Sequence, residues 1–128
     1  MKKVTLPNAP KNSTVPISSA WICGNLVFTS GQTGRNPETK ELGATIQEQA
    51  EQCCKNVGNV LKAAGTCYEN VLKATCFLAD MNDFQAFNEV YAKYFTGRPA
   101  RSCVAVKTLP GGAMCEIETV ACLNPDEE

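Results

Sequence analysis

The order in which helix-like and strand-like patterns alternate along the chain constrains the fold more than any other feature. Apolar residues recur at helical spacing over residues 45–64 and again over residues 84–95. Between them, residues 71–78 carry apolar side chains on both alternating faces, which is typical of a strand buried on both sides. Short strand-like runs precede the first helix and follow the second. This order predicts one α+β domain over residues 1–128, with two helices packed on one face of a mixed β-sheet.

Local signals mark where the two helices begin and end. Thr45 can cap the first helix, Glu48 three residues later completes a capping box, and Gly65 is the expected stop. Asn82 or Asp83 can cap the second helix. Hydrogen bonds between residues close in sequence are therefore expected to set the helix boundaries.

The other strands are predicted to form two hairpins. Residues 20–23 and 26–30 flank Gly24 and Asn25, a dipeptide typical of a two-residue turn. Near the C-terminus, two alternating runs flank residues 109–112 and predict a second hairpin. Within the buried strand, the residues predicted to share one face are Leu72, Ala74, Cys76 and Leu78. The segments predicted to be irregular are 1–17 and 31–37.

The charge balance and the missing histidine narrow the possible functions. With 12 basic and 13 acidic residues the net charge is -1, so neither nucleic acid nor an anionic membrane is an expected partner. The first residues contain no apolar run long enough for a signal peptide or a membrane span, which favours a cytoplasmic protein. Without histidine, the Ser-His-Asp and Cys-His mechanisms are excluded. Proton transfer must use a carboxylate, Lys, Tyr, Cys or bound water.

The eight cysteines allow two interpretations. In a short secreted chain they would suggest a disulfide framework. Here Cys53 and Cys54 are adjacent and no Cys-x-x-Cys motif occurs, so the spacing fits neither a disulfide scaffold nor a metal site. We therefore favour reduced, mostly buried thiols in a cytosolic protein.

Reactive side chains are concentrated in the last two predicted strands. Arg101 and Cys103 are two residues apart and are expected to face the same way, as are Glu116 and Glu118. A planar guanidinium can bind a carboxylate through two parallel hydrogen bonds. A carboxylate near a water molecule can activate that water and move protons without histidine. The pattern leaves the register of the two strands open, and a cleft could draw groups from two chains.

Three segments together resemble one known family. They are TSGQTGRNPETKEL, NVLKAAGTCYENVLKATCFLADMNDFQAFNEVYAKYF and RPARSCVAVKTLPGGAMCEIETVA, and the resemblance spans about residues 8–121. The chain is similar to the RidA family, also called the YjgF or L-PSP family. The resemblance implies a chorismate-mutase-like α+β fold that forms a homotrimer with sites in the clefts between subunits. It also implies hydrolysis of enamines and imines, such as 2-aminoacrylate, to a 2-keto acid and ammonia without a cofactor.

The resemblance also assigns roles to residues of the last strands. It implies that Arg101 binds the carboxylate of the imino acid and that Glu116, rather than Glu118, holds the attacking water. Cys103 is implied to line the site, and we interpret it as a contact residue because no histidine is present to lower the pKa of its thiol.

Four further positions are implied to border the substrate. Ser30 and Gly31 are expected to offer backbone groups, because the missing side chain at Gly31 lets a ligand approach. Asn88 is expected either to orient the Arg101 region or to be an exposed helix residue. Well-studied hydrolytic members carry a tyrosine after the proline that matches Pro16, whereas this chain has Ile17. Ile17 offers neither a donor nor an acceptor, which leaves substrate preference, rate and the activity itself open.

Three functions are therefore considered. The first is an enamine/imine deaminase. The second is a ligand-binding or regulatory trimer that holds small carboxylates without turnover, which is compatible with Arg101 and the changed Ile17. The third is an endoribonuclease or translation inhibitor, which the missing histidine and the lack of interleaved basic and aromatic residues disfavour.

Overall fold

The alternating helix and strand patterns fold into one seven-stranded mixed sheet and two α-helices in the computed structural model, which describes residues 1–7 and 14–126. The strands are β1 (Lys2–Val4), β2 (Ala20–Cys23), β3 (Leu26–Thr29), β4 (Gln32–Thr33), β5 (Val71–Leu78), β6 (Ala100–Ala105) and β7 (Cys115–Cys122). The α-helices are α1 (Ile46–Ala64) and α2 (Phe84–Tyr94), and short 3₁₀ turns are Tyr68–Asn70, Met81–Asp83 and Pro110–Gly112. The sheet order is β1-β2-β3-β7-β5-β6, with β4 paired to β7.

The predicted C-terminal hairpin is wrong, because β6 and β7 are not neighbours. Strand β5 lies between them, parallel to β6 and antiparallel to β7. The segment that connects β6 to β7 passes the end of β5. There Val106 N donates to Leu78 O at 2.8 Å, and Ala79 N donates to Met114 O at 3.0 Å. An alternating pattern defines a strand and its faces but does not name its partner. Pairing both edges of β5 satisfies its backbone groups and places it inside the sheet.

The N-terminal hairpin of β2 and β3 is confirmed. Cys23 pairs with Leu26 across the two-residue turn, in which Gly24 has a φ of 60° that glycine adopts without steric cost. Two segments predicted to be irregular instead contribute strands, β1 beside β2 and β4 beside β7. Residues 8–13 of the predicted irregular lead-in lie outside the described residues.

Helix α1 begins and ends at the predicted residues. Thr45 Oγ1 accepts a hydrogen bond from Glu48 N at 3.1 Å, and the Glu48 carboxylate accepts one from Ala44 N at 2.9 Å. Gly65 closes the helix with a φ of 93°, and its N–H donates to Lys62 O. The predicted capping box is present, although Glu48 reaches back to Ala44 rather than to Thr45.

Helix α2 begins after Asp83, one of the two predicted N-cap residues, but without the predicted capping side chain. Neither Asn82 nor Asp83 caps it with a side chain. Instead, the Asp80 carboxylate accepts from Asn82 N at 2.9 Å and caps the 3₁₀ turn Met81–Asp83, which runs directly into the helix. A short turn of this kind is common at helix N-termini, and it moves the capping residue upstream.

One face of the sheet packs against both helices and forms the core. Val27, Ala74, Cys76, Leu78 and Ile117 from the sheet are at most 1 % exposed and belong to one apolar cluster with residues of α1 and α2. All eight cysteines are free, and five of them are buried, as predicted. Among residues 1–7 and 14–126, neither helix is long and apolar enough to cross a membrane.

The opposite face of the sheet is open, which corrects the prediction that β5 is buried on both sides. Trp21, Phe28 and Val104 are 42 %, 45 % and 45 % exposed, and the strand register places them on the same face as Phe77. Leu72 is also exposed, because the register shifts between Val71 and Lys73 and removes Leu72 from the core-facing row.

Candidate functional site

The predicted cation and the predicted carboxylates lie on opposite faces of the sheet. Arg101 and Cys103 pair with Ala74 and Cys76, both fully buried, so they occupy the face covered by the helices. Glu116 pairs with Phe77 across β5 and β7, on the open face. Strands β6 and β7 are two strand spacings apart, about 10 Å. Within one chain, therefore, the arginine and the carboxylates form two separate clusters.

The first cluster, here called the Arg101 half-site, consists of Arg101, Cys103 and three residues of α2. Arg101 Nη1 donates to Asn88 Oδ1 at 2.7 Å. The guanidinium carbon lies 4.8 Å from the centroid of the Tyr91 ring and 5.6 Å from that of Phe84. Every partner found for Arg101 in the described part of the chain is neutral. The half-site thus holds a partly buried positive charge that has no carboxylate partner among residues 1–7 and 14–126.

The two thiols near Arg101, those of Cys103 and Cys76, are not activated as nucleophiles. Burial raises the pKa of the Cys103 thiol, and the nearby Arg101 charge offsets this only in part. Burial raises the pKa of Cys76, which pairs with Cys103 across β5 and β6, to about 12, and the nearby Arg101 charge offsets this only in part. Both groups are therefore thiols near neutral pH, which fits a contact role for Cys103. No group of three or more Cys, Asp or Glu side chains among the described residues is arranged to hold a metal ion.

The second cluster, here called the Glu116 half-site, consists of Glu116, Gly31, Ser30 and Ile17. Glu116 lies in β7 opposite Thr33 of the short strand β4. A Cβ at residue 31 would lie 2.8 Å from Glu116 Cδ, so the glycine leaves the space that the carboxylate occupies. Burial, and secondly the like charge of Glu118, raise the pKa of the Glu116 carboxyl above its usual range. This carboxylate is a stronger base than an exposed one.

Hydrogen bonds fix the backbone beside Glu116. Ser30 N donates to Ser19 O at 2.9 Å, and the Ser30 hydroxyl donates to Ser18 O. Ile17 N donates to Val15 O at 2.9 Å and closes a three-residue turn around a proline. The Ser30 hydroxyl therefore holds the segment before β2 in place, and the Ile17 side chain, 69 % exposed, is displayed beside the half-site.

A single cavity of about 930 Å³ is lined by Glu116, Gly31 and Ile17. Arg35 and Lys62 also line it, whereas Arg101 does not. The structure thus brings together three of the predicted site residues at this cavity. It brings Arg101, Asn88 and Cys103 together elsewhere, on the helix-covered face.

Sequence reasoning missed two residues of the Arg101 half-site. Phe84 and Tyr91 were expected only as members of the apolar stripe of α2. Their spacing from Asn88, four residues before it and three after it, places all three on one helix face. That spacing is the signal that could have found them.

Comparison with known proteins gives consistent matches over most of the chain. The family model described as Endoribonuclease L-PSP matches residues 7–123. The Reactive Intermediate Deaminase A, chloroplastic, of Arabidopsis thaliana is 48% identical over 110 residues, covering 84% of this chain and 59% of that protein. The 2-iminobutanoate/2-iminopropanoate deaminase of Homo sapiens is 43% identical over 112 residues, 86% of this chain and 82% of that protein.

Solved structures agree with the sequence matches. The crystal structure of E. coli TdcF with bound serine superposes with a TM-score of 0.88 at 37% sequence identity. The match covers 95% of this chain and 98% of that one. The mixed sheet and both helices are therefore shared over nearly the whole length.

Proposed function

Because the chain belongs to the Endoribonuclease L-PSP family, which is the RidA or YjgF family, we propose that it hydrolyses reactive enamines and imines. The substrates are of the 2-aminoacrylate and 2-iminobutanoate type, and the products are a 2-keto acid and ammonia. The single structural observation that carries the proposal is the Arg101 guanidinium, partly buried and surrounded by neutral partners. Such a charge is suited to binding the carboxylate of a small imino acid.

Arg101 holds the carboxylate of the substrate throughout the reaction. Its guanidinium offers two parallel N–H groups, and Asn88 already fixes the orientation of one nitrogen at 2.7 Å. Cys103 follows on the same face and contacts the substrate without forming a covalent bond. The thiol is protonated near neutral pH because burial raises its pKa.

Glu116 activates the water. Its carboxylate takes a proton from water as the oxygen attacks C2 of the imine, and the C=N double bond becomes a single bond. Glu116 gives this proton to the imine nitrogen, which becomes an amino group. The tetrahedral intermediate then collapses: Glu116 moves the hydroxyl proton to nitrogen, the C–N bond breaks, the carbonyl forms and ammonia leaves. An enamine first gains a proton at its terminal carbon to become the imine. The raised pKa of Glu116 suits a group that both accepts and returns a proton.

A complete site requires two copies of the chain in a homotrimer, with the Arg101 half-site of one subunit facing the Glu116 half-site of the next. Support comes from their positions on opposite faces of one sheet. Further support comes from the open apolar face with Trp21, Phe28 and Val104, which a neighbouring copy would cover. An interface that joins different surfaces on each copy closes into a ring when the rotation allows it.

We place the protein in the cytoplasm. The support is the set of eight free cysteines, which suits a reducing compartment. A relative with a chloroplastic name makes an organelle the alternative outcome, and localisation of a tagged full-length chain in its own cell decides between them.

The proposed function is tested by following the absorbance decay of 2-aminoacrylate, generated in situ by a serine dehydratase, against its spontaneous rate. We expect the wild-type chain to accelerate the decay and Arg101→Ala and Glu116→Gln to lose it by roughly a hundredfold or more. Lys93→Ala, which removes an exposed positive charge from α2, is the matched control and should retain full activity.

Two other outcomes would redirect the assignment. Binding of pyruvate by the folded wild-type chain without any acceleration would indicate a carboxylate-binding module instead. A salt-dependent shift of RNA that is lost in Arg101→Ala would favour an RNA-directed function.

A further inference from the structure

Three residues of α2 face the Arg101 guanidinium from one side. Phe84, Asn88 and Tyr91 follow the spacing of one helix face, so a single element presents an amide between two aromatic rings. Asn88 bonds Nη1 at 2.7 Å, and the ring centroids of Tyr91 and Phe84 lie 4.8 and 5.6 Å from the guanidinium carbon. Both distances lie within the range of cation–π attraction.

The Tyr91 ring is itself fixed by packing. It stacks on Phe95 with centroids 4.3 Å apart and an interplanar angle of 13°, and on Phe87 with centroids 5.9 Å apart. Phe87 and Phe95 are buried in the core. A rigid aromatic column thus runs from the core to the arginine.

The hydroxyl of Tyr91 does not explain why a tyrosine stands there. It is buried without a hydrogen-bond partner among the described residues, and burial raises its pKa well above the usual range. The proton therefore stays on the oxygen near neutral pH. What Tyr91 contributes to Arg101 is the face of its ring.

We propose that Phe84 and Tyr91 are positioning residues that hold the Arg101 guanidinium in one orientation before the substrate carboxylate arrives. This inference rests on the proposed function. A free arginine side chain loses considerable rotamer freedom when it is ordered by a ligand. Rings that order the guanidinium in advance reduce this cost and strengthen carboxylate binding.

The expected kinetic signature is a rise in KM with little change in kcat. The substrate carboxylate keeps its charge while water attacks the imine carbon, so Arg101 binds the ground state and the transition state alike. Loss of such uniform binding raises KM and leaves kcat nearly unchanged. A general loss of packing would instead lower the melting temperature without this split.

The test compares ring-removing and ring-keeping variants in the full chain. Phe84 is 37 % exposed, so Phe84→Leu should fold, removing the aromatic face while keeping an apolar side chain. We expect Phe84→Leu to raise KM for the imine roughly two- to fivefold and Phe84→Tyr to restore it. Tyr91→Phe keeps the ring and deletes only a hydroxyl that has no partner among the described residues, so its melting temperature should be equal or higher.

A second measurement does not depend on turnover. Pyruvate titrations followed by NMR should show weaker binding in Phe84→Leu, and the Arg101 side-chain Nε–H signal should report greater mobility than in the wild-type chain. An unchanged KM and unchanged pyruvate affinity in Phe84→Leu would overturn the inference, as would equal effects of Phe84→Leu and Phe84→Tyr. Loss of activity in Arg101→Ala alongside a wild-type-like Phe84→Leu would refute the positioning role and leave the deaminase assignment standing.

Discussion

The two half-sites hold opposite charges by opposite means. Arg101 is fixed by contacts, with an amide and two rings of α2 gathered around its guanidinium. The carboxyl group of Glu116 instead occupies space that Gly31 leaves free, because a Cβ at that position would collide with it. Packing can orient a guanidinium, whose charge is permanent, without changing its protonation state. A carboxylate that must exchange protons needs an environment that raises its pKa while leaving room for water.

Within one chain, each half-site lacks one of the two groups that the proposed chemistry needs. The two half-sites lie on opposite faces of the same sheet, with β5 between their strands. Neither can turn toward the other without breaking the ladders that β5 forms on both sides. The proposed trimer resolves this by supplying the missing half from a neighbouring copy.

The largest expected effect comes from mixing two inactive variants. Arg101→Ala and Glu116→Gln, each inactive alone, are unfolded together, refolded and assayed for 2-aminoacrylate decay. If each site takes its arginine and its carboxylate from different copies, roughly a quarter of the sites in a random mixture are complete, so activity should return. No recovery from verified mixed trimers would mean that both groups act from one chain.

A smaller effect is expected from Gly31→Ala, which fills part of the space that the Glu116 carboxyl group occupies. The added Cβ would lie 2.8 Å from Glu116 Cδ and must displace the carboxyl group. We expect kcat to fall roughly tenfold to a hundredfold, because small displacements of a catalytic group are costly. Gly112→Ala, where a Cβ meets nothing within 4 Å but φ is +77°, should lower the melting temperature and leave kcat unchanged, which separates a loss of stability from displacement of the carboxyl group. Wild-type kcat in Gly31→Ala would show that the position of the carboxyl group is not critical.

The smallest effect concerns the pH dependence. Glu116 must be ionised to act as a base, so kcat/KM should rise as pH increases through its raised pKa, above the ordinary 4.5. Glu118→Gln removes a like charge that contributes to the raised pKa, so the acid limb should move to lower pH. Glu89→Gln, an exposed carboxylate on α2, provides the control. An identical limb in wild-type and Glu118→Gln chains would remove Glu118 from this role.

Local signals in the sequence were sufficient for several elements. The caps of α1 at Thr45 and Gly65 depend on hydrogen bonds between residues close in sequence, so they were found without tertiary information. The turn at Gly24 was found for the same reason, whereas β5 was found from its run of apolar residues. The N-cap position of α2 was found at Asp83, but the side-chain cap of the preceding turn at Asp80 was not, because Asp80, Asn82 and Asp83 all have side chains able to cap.

The sequence by itself determined the order of the two helices and the longer strands and indicated the candidate site residues, because spacing and residue type are local properties. Only the tertiary structure decided that β5 separates β6 from β7 and that Arg101 and Glu116 therefore lie on opposite faces. An alternating pattern gives each strand two faces, but pairing between distant strands decides which faces coincide. The same long-range packing brought Phe84 and Tyr91 of α2 against Arg101 of β6.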